Sequence, residues 1–139
     1  MSMNKVIVTG GAGFIGSNLV ERLLKDGAEE ILIIDDFSTG KKENLHDSSK
    51  VHLIESKLED INDLESQFKG YDFCFHLAAG VGVQYIMDNL SDSLLTNIQG
   101  THIVFEACKE NNIPVLITST SEIYGCLLYT SPSPRDNLP

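Results

Sequence analysis

Eight residues, Thr9-Gly10-Gly11-Ala12-Gly13-Phe14-Ile15-Gly16, constrain this chain more than any others, because they join an apolar run to an amphipathic segment. Residues Lys5 to Val8 read as a short buried strand. Ser17 to Lys25 reads as a helix with Leu19, Val20, Leu23 and Leu24 along one face. Glycines at 11, 13 and 16 have the G-x-G-x-x-G spacing. In that spacing one glycine permits a tight turn, one lets the backbone approach a pyrophosphate, and one lets the helix pack close on the strand. The unpaired N–H groups at the start of the helix then face the phosphates. A glycine pattern alone is weak evidence, since a Gly-rich turn can exist without a ligand. This one is answered by Asp35, which ends a second apolar run, Ile31 to Ile34. The separation suits a carboxylate that bonds to the ribose of an adenosine, so the pattern implies dinucleotide binding.

The 139 residues have room for one compact domain and not for two. The formal net charge of -10 argues against a nucleic-acid or anionic-membrane partner, which would reward clustered Lys and Arg. No run approaches the roughly 20 apolar residues of a membrane span, and the N-terminal residues lack a signal-peptide pattern. Cys74, Cys108 and Cys126 have neither C-x-x-C spacing nor the density of a disulfide scaffold, so a reducing cytoplasm is the expected setting. Cys74 and Cys108 read as small buried hydrophobes. His46, His52, His76 and His102 fall in no metal-ligand spacing, and no metal is expected. His76 ends an apolar run and reads as a packed or hydrogen-bonded core residue.

Strand and helix patterns alternate at βαβ intervals. Strands are expected near 4–9, 31–35, 51–55, 72–76 and 114–118, and helices near 14–26, 60–68 and 92–110. Asn111-Asn112 is a plausible stop for the last helix, before Pro114. Short, continuously apolar strands suit a sheet covered on both faces. A right-handed βαβ series with a phosphate-binding first turn predicts an α/β fold, an incomplete Rossmann-like doubly wound parallel sheet. Ligands of such sheets lie beyond the carboxyl ends of the strands. Gly10 to Gly16, Asp35-Asp36, Leu77 to Gly80 and Thr118 to Ser121 all fall there.

Five ordered segments carry a wider likeness: the glycine turn, Asp35-Asp36-Phe37-Ser38-Thr39-Gly40, His76-Leu77-Ala78-Ala79, Asn97-Ile98-Gln99-Gly100-Thr101 and Ser119-Thr120-Ser121-Glu122-Ile123-Tyr124-Gly125. Together they resemble the extended short-chain dehydrogenase/reductase family, and within it the NAD-dependent nucleotide-sugar epimerases, dehydratases and decarboxylases. The resemblance covers residues 4 to 125. It implies NAD as cofactor, a nucleotide-sugar substrate and a homodimer for the full-length protein. It also implies that Gly10, Gly13, Phe14, Ile15 and Gly16 surround the pyrophosphate. Asp35 would hold the adenosine ribose, enclosed by Asp36, Phe37, Thr39 and Gly40. Leu77, Ala78 and Ala79 would run beneath the cofactor, with Asn97 ordering the neighbouring loops. Asp35 beside Asp36 would repel a 2′-phosphate and favour NAD over NADP, although Lys41-Lys42 stand close by in sequence. Lys57 departs from the family pattern, which commonly has an aspartate there, bonding to the adenine amino group. A lysine cannot accept that bond. Either the adenine contacts differ or the backbone near Leu58 carries them.

On the same resemblance, Thr120 bonds to the sugar O4 during hydride exchange. Glu122 matches the carboxylate that dehydratases and decarboxylases use beside that threonine, against the alternative of a plain turn carboxylate. Ser121 stands where typical 4,6-dehydratases have an aspartic acid that protonates the leaving hydroxyl. A serine is a poor acid for that task. This argues against that dehydratase and mildly for a UDP-glucuronate-decarboxylase-like enzyme. An NAD-dependent reductase and a non-enzymatic dinucleotide sensor are the competing readings.

The shared chemistry begins with hydride abstraction from sugar C4, which gives a 4-keto intermediate, and it needs a base arranged as Tyr-x-x-x-Lys. That pair is absent: Tyr71 is followed four residues on by Phe75, Tyr85 by Asn89, Tyr124 by Leu128 and Tyr129 by Ser133. After Gly125 the family pattern stops. Cys126-Leu127-Leu128-Tyr129-Thr130-Ser131-Pro132-Ser133-Pro134-Arg135-Asp136 looks like the in-frame translation of a sequencing adapter. The expectation is that 1–125 are the N-terminal part of an NAD-binding domain and 126–139 a non-native tail. The parent protein would then be an enzyme and this fragment inactive.

Overall fold

The computed structural model describes residues 3–80, 91, 94 and 96–119. Five strands, β1 (Lys5–Thr9), β2 (Glu30–Asp35), β3 (Val51–Glu55), β4 (Phe73–His76) and β5 (Val115–Ile117), form one sheet in the order β3-β2-β1-β4-β5. Every pairing is parallel. The described helices with full bounds are α1 (Phe14–Lys25), α2 (Leu64–Phe68) and α3 (Thr101–Glu110), with short 3-10 turns at Lys42–Asn44 and Leu58–Asp60, and Ser91 and Leu94 are helical as well. The expected parallel α/β sheet is therefore present. The strand order steps outward one way from β1 to β3 and the other way to β4 and β5, so the order reverses between β1 and β4. In such sheets that switch point is where ligands bind.

Side chains of a strand alternate between faces, and both faces of the central strands are buried. Ile7, Leu32, Ile34 and Cys74 pack on one side with Leu64 and Phe68 of α2 and Val104, Ala107 and Cys108 of α3. Val6, Val8, Ile31 and Ile33 pack on the other side with Val20 and Leu23 of α1. Leu19 and Leu24 lie against this second cluster, half buried, as the helical spacing predicts. Cys74 and Cys108 are buried free thiols, in line with their reading as small hydrophobes. The contact with the Cys108 sulfur, and then burial, push the Cys74 thiol well above its ordinary range.

Three expectations need correction. The helix expected over 60–68 begins only at Leu64, because Asp63 adopts the left-handed conformation at φ 59° and caps the Ser66 N–H with its carboxylate. The preceding residues form the 3-10 turn at Leu58–Asp60 instead. The helix expected over 92–110 is α-helical at Thr101–Glu110 and widens to a π turn at Thr96–Gly100; parts of 92–95 lie outside the described residues. Among the described residues the outer strands are less covered than the centre: Leu53 of β3 and Leu116 and Ile117 of β5 remain 40%, 43% and 47% exposed and belong to neither packed cluster. The stop at Asn111-Asn112 is as expected. Asn112 takes φ 55°, and the Ile113 N–H donates back to the Cys108 carbonyl at 2.8 Å.

Candidate cofactor cleft

Parallel strands deliver all their carboxyl ends to one rim, and four of the turns that follow them meet there. Gly10 and Gly13 after β1, Asp35, Asp36, Ser38, Thr39 and Gly40 after β2, Ser56 to Glu59 after β3, and Leu77 to Gly80 after β4 line one cleft with about 140 Å³ of open volume. The β1 turn is held by backbone. The Gly10 N–H donates to the Ile34 carbonyl at 2.8 Å, and the Gly13 N–H donates to the Gly10 carbonyl at 3.2 Å. Gly10 needs its left-handed φ of 72°, and a Cβ there would stand 2.8 Å from the Ala78 nitrogen. A Cβ on Gly16 would press into the Gly10 carbonyl oxygen, so α1 can approach the turn only with glycine at that place. Gly13 differs from both. Its Cβ would meet only the Gly10 oxygen, at 3.3 Å, and the rest of the space faces the cleft. A side chain there would fill a cradle that protein atoms leave open.

Helix α1 starts beside that cradle with no side-chain cap on Gly13 and no acidic residue in its first turn. Its first N–H groups lack intrahelical partners, and the helix dipole makes this end attractive to an anion. Phe14 and Ile15 point outward, 84% and 64% exposed, so only their backbone can serve the cleft.

Asp35 is almost wholly buried at the wall of the cleft. Its carboxylate accepts the Ala12 N–H and the Phe37 N–H, each at 2.9 Å, which ties the β1 turn to the β2 turn. Phe37 pays for that bond with a left-handed φ of 56°. Asp36 accepts the Ser38 N–H at 2.9 Å. Gly40 lies so close behind that a Cβ would be 2.9 Å from Asp35 Oδ1. Lys42 is engaged beside them. Its ammonium is 2.6 Å from Glu55 Oε2 and 5.0 Å over the Phe37 ring.

The floor after β4 is pinned by a buried polar chain. The Ala78 N–H donates to Thr9 Oγ1 at 3.1 Å, Thr9 Oγ1 lies 2.7 Å from His76 Nδ1, and His76 Nε2 lies 3.0 Å from Thr101 Oγ1. The bonds fit a neutral imidazole protonated at Nε2, and burial pushes the His76 pKa down to about 4. His76 is thus the hydrogen-bonded core residue that its place at the end of an apolar run suggests. Asn97 holds the other end of the floor, accepting the Gly80 N–H at 2.7 Å and donating to the Gly80 carbonyl at 3.3 Å.

Of the residues picked out from sequence, Gly10, Gly13, Asp35, Asp36, Thr39, Gly40, Leu58, Leu77, Ala78 and Ala79 line the cleft. Phe14, Ile15, Gly16, Phe37 and Asn97 stand behind or beside it and do not line it. Thr120 and Glu122 lie outside the described residues, as do Ser121 and the segment 126–139. Gly80 lines the cleft, as its place beyond a strand end suggests, and Ser38, Ser56 and Glu59 line it without having been picked out. Among the described residues no cluster of His, Cys, Asp and Glu could hold a metal ion. No described helix is long and apolar enough to cross a membrane.

Residues 6–137 match the NAD dependent epimerase/dehydratase family. This chain belongs to that family. It is 35% identical over 122 residues to a UDP-N-acetyl-alpha-D-glucosaminuronate decarboxylase of Bacillus cytotoxicus, a match covering 87% of this chain and 38% of that protein. It is 36% identical over 124 residues to UDP-glucuronic acid decarboxylase 1 of Arabidopsis thaliana, covering 87% of the chain and 27% of the relative. Among solved structures, this epimerase/dehydratase chain resembles the UDP-N-acetylglucosamine 4-epimerase of Methanobrevibacter ruminantium in complex with UDP-N-acetylmuramic acid. That likeness has a TM-score of 0.81 and 40% identity, and covers 90% of this chain and 40% of that one. The Bordetella bronchiseptica enzyme WbmG in complex with NAD is similar at a TM-score of 0.78 and 35% identity, covering 89% and 40%. The chain therefore spans well under half the length of these relatives.

Proposed function

We propose that the chain is the N-terminal, cofactor-binding part of an NAD-dependent nucleotide-sugar epimerase/dehydratase that works through a 4-keto-sugar intermediate. The observation that carries this reading is the buried Asp35 carboxylate, held by the Ala12 and Phe37 N–H groups at the wall of a cleft closed by the glycine turn. A carboxylate has about four lone-pair positions, so two N–H bonds leave capacity for the ribose hydroxyls. In this reading the pyrophosphate lies over Gly10 and Gly13, against the first-turn N–H groups of Phe14, Ile15 and Gly16. Asp35 takes the adenosine ribose, with Asp36, Phe37, Thr39 and Gly40 around it. The Leu58 backbone borders the base. Leu77, Ala78 and Ala79 form the floor, kept in place by Asn97 through Gly80. Two adjacent aspartates oppose a 2′-phosphate, and Lys42 is already paired with Glu55, which supports NAD over NADP.

Bound NAD supplies the hydride acceptor for sugar C4. On the sugar side, Thr120 is read as the hydroxyl at O4 and Glu122 as the carboxylate beside it. The relatives named above are epimerases and decarboxylases, which favours this reading over an ordinary reductase or a dinucleotide sensor. The same reading keeps 1–125 as the native part of the domain and 126–139 as a non-native tail, and places the full-length protein in the cytoplasm as a homodimer. Leu94, Ile98 and Phe105, spaced by four and seven residues and 56%, 61% and 38% exposed, support a helix-to-helix contact between copies.

The test uses two proteins with NAD and UDP-sugars: this chain, and a longer form that continues the family pattern beyond Gly125 with a Tyr-x-x-x-Lys pair. The longer form should yield a keto intermediate with epimer or decarboxylated product, and this chain should yield none. Turnover by the 139 residues alone, abolished by Thr120→Val, would show that the base lies within them and would contradict the proposal.

A further inference from the structure

We propose that Lys57 makes the base end of the cleft accept a 6-oxo purine as readily as adenine, so that this chain binds NAD and its hypoxanthine analogue about equally. The inference rests on the cofactor reading above. The sheet order sets the turns along the rim as 56–59, 35–40, 10–13 and 77–80. A pyrophosphate held at the β1 turn and a ribose held at Asp35 would leave the turn after β3, next along the rim, to border the base. In that turn Lys57 competes with the Glu59 carboxylate, which also lines the cleft, as the reader of the base. The Ser56 hydroxyl donates to the Lys57 carbonyl at 3.0 Å, and the Leu58 side chain is buried in the core. Glu59 has an interaction of its own. Lys57 is exposed, lines the cleft, and its ammonium makes no hydrogen bond or ion pair with the described residues.

An ammonium has three donors and no acceptor. The adenine 6-amino group is itself a donor, so facing Lys57 it gains no bond, and only a flanking ring nitrogen, N1 or N7, is left to receive one. A 6-oxo purine presents O6 and N7 together, the acceptor pair that lysine takes on guanine. Lys57 therefore removes the ordinary basis for choosing adenine and replaces it with one that serves the oxo base.

Calorimetric titration of the 139-residue chain with NAD and with nicotinamide hypoxanthine dinucleotide tests this, alongside Lys57→Asp and Lys57→Met. The natural chain should bind the two within roughly threefold. Lys57→Asp should favour NAD by roughly tenfold or more, since it accepts from the amino group and repels O6. Lys57→Met should weaken the hypoxanthine form more than NAD, since the oxo base loses two acceptor contacts and adenine one. Thermal melts should match across the three proteins, because the side chain is exposed. A natural chain that prefers NAD by more than about threefold, with the ratio unmoved by Lys57→Asp, would overturn the proposal while leaving the cofactor reading intact. A preference removed by Glu59→Gln would overturn it too, by assigning the reading of the base to Glu59. Failure of both dinucleotides to bind would overturn the cofactor reading and this proposal with it.

Discussion

Strands β1 and β5 are built from the same kind of residue and end in opposite states. β1 is paired on both sides, and its Val6, Ile7 and Val8 are fully buried between α1 on one face and α2 and α3 on the other. Among the described residues β5 is paired with β4 alone, and Leu116 and Ile117 keep nearly half their surface. Composition does not separate them; neighbours do. The difference also divides the rim by function. The half carrying the glycine turn and Asp35 is cross-tied by backbone bonds and buried carboxylate contacts. The β5 side has no such ties among the described residues and carries the half-exposed Leu116 and Ile117.

Ile7→Ala would attack the closed half directly. Its side chain packs against Leu32, Cys74 and helix residues with no exposure, so the loss should be about 2–5 kcal/mol, read from urea unfolding. A loss below about 1 kcal/mol would mean that the β1 region relaxes as freely as an edge.

Acid probes the strand between the two regions, since His76 ends β4. Its folded pKa of about 4 lies below the ordinary 6.5, so the unfolded chain binds more protons between those values. The stability that neutral His76 contributes is fully present above pH 6.5 and is lost as pH falls towards 4. The shift sets this at no more than about 3 kcal/mol. Unfolding measured from pH 7 down to 4 should fall more steeply for the natural chain than for His76→Gln. Parallel slopes would show that the imidazole is not held neutral by its buried place.

Leu116→Ser should change stability least, by under about 1 kcal/mol, because much of the side chain already meets water. The same variant should raise solubility, measured by light scattering, since it blunts an exposed apolar edge. A large destabilisation would show that β5 is covered in solution.

The same contrast explains what could be read from sequence. The strands fell within two residues of expectation because continuous apolar runs end at polar or turn residues, as Ile31 to Ile34 ends at Asp35-Asp36. That β5 would lie at an edge was not legible, because Val115-Leu116-Ile117 is as apolar as the centre, whereas His52 and Glu55 already interrupt β3. The late start of α2 turned on one left-handed aspartate, Asp63, whose backbone angle no periodicity encodes. Asp35 was legible as a ribose ligand from its separation from the glycine turn. Its bond to the Ala12 N–H was not, since that follows from β1 and β2 lying side by side. The Thr9–His76–Thr101 chain was likewise invisible as a unit. Thr9 and His76 are 67 residues apart and His76 and Thr101 are 25 apart, and only the β1–β4 pairing and the seating of α3 bring them together.

The most direct test of the account is a pair of titrations, NAD and NADP against the 139-residue chain and its Asp35→Ser variant. The natural chain should bind NAD more tightly than NADP by roughly tenfold or more, about 1.4 kcal/mol, and Asp35→Ser should weaken NAD and narrow the ratio. Equal affinity for the two cofactors, or a ratio untouched by the substitution, would contradict it.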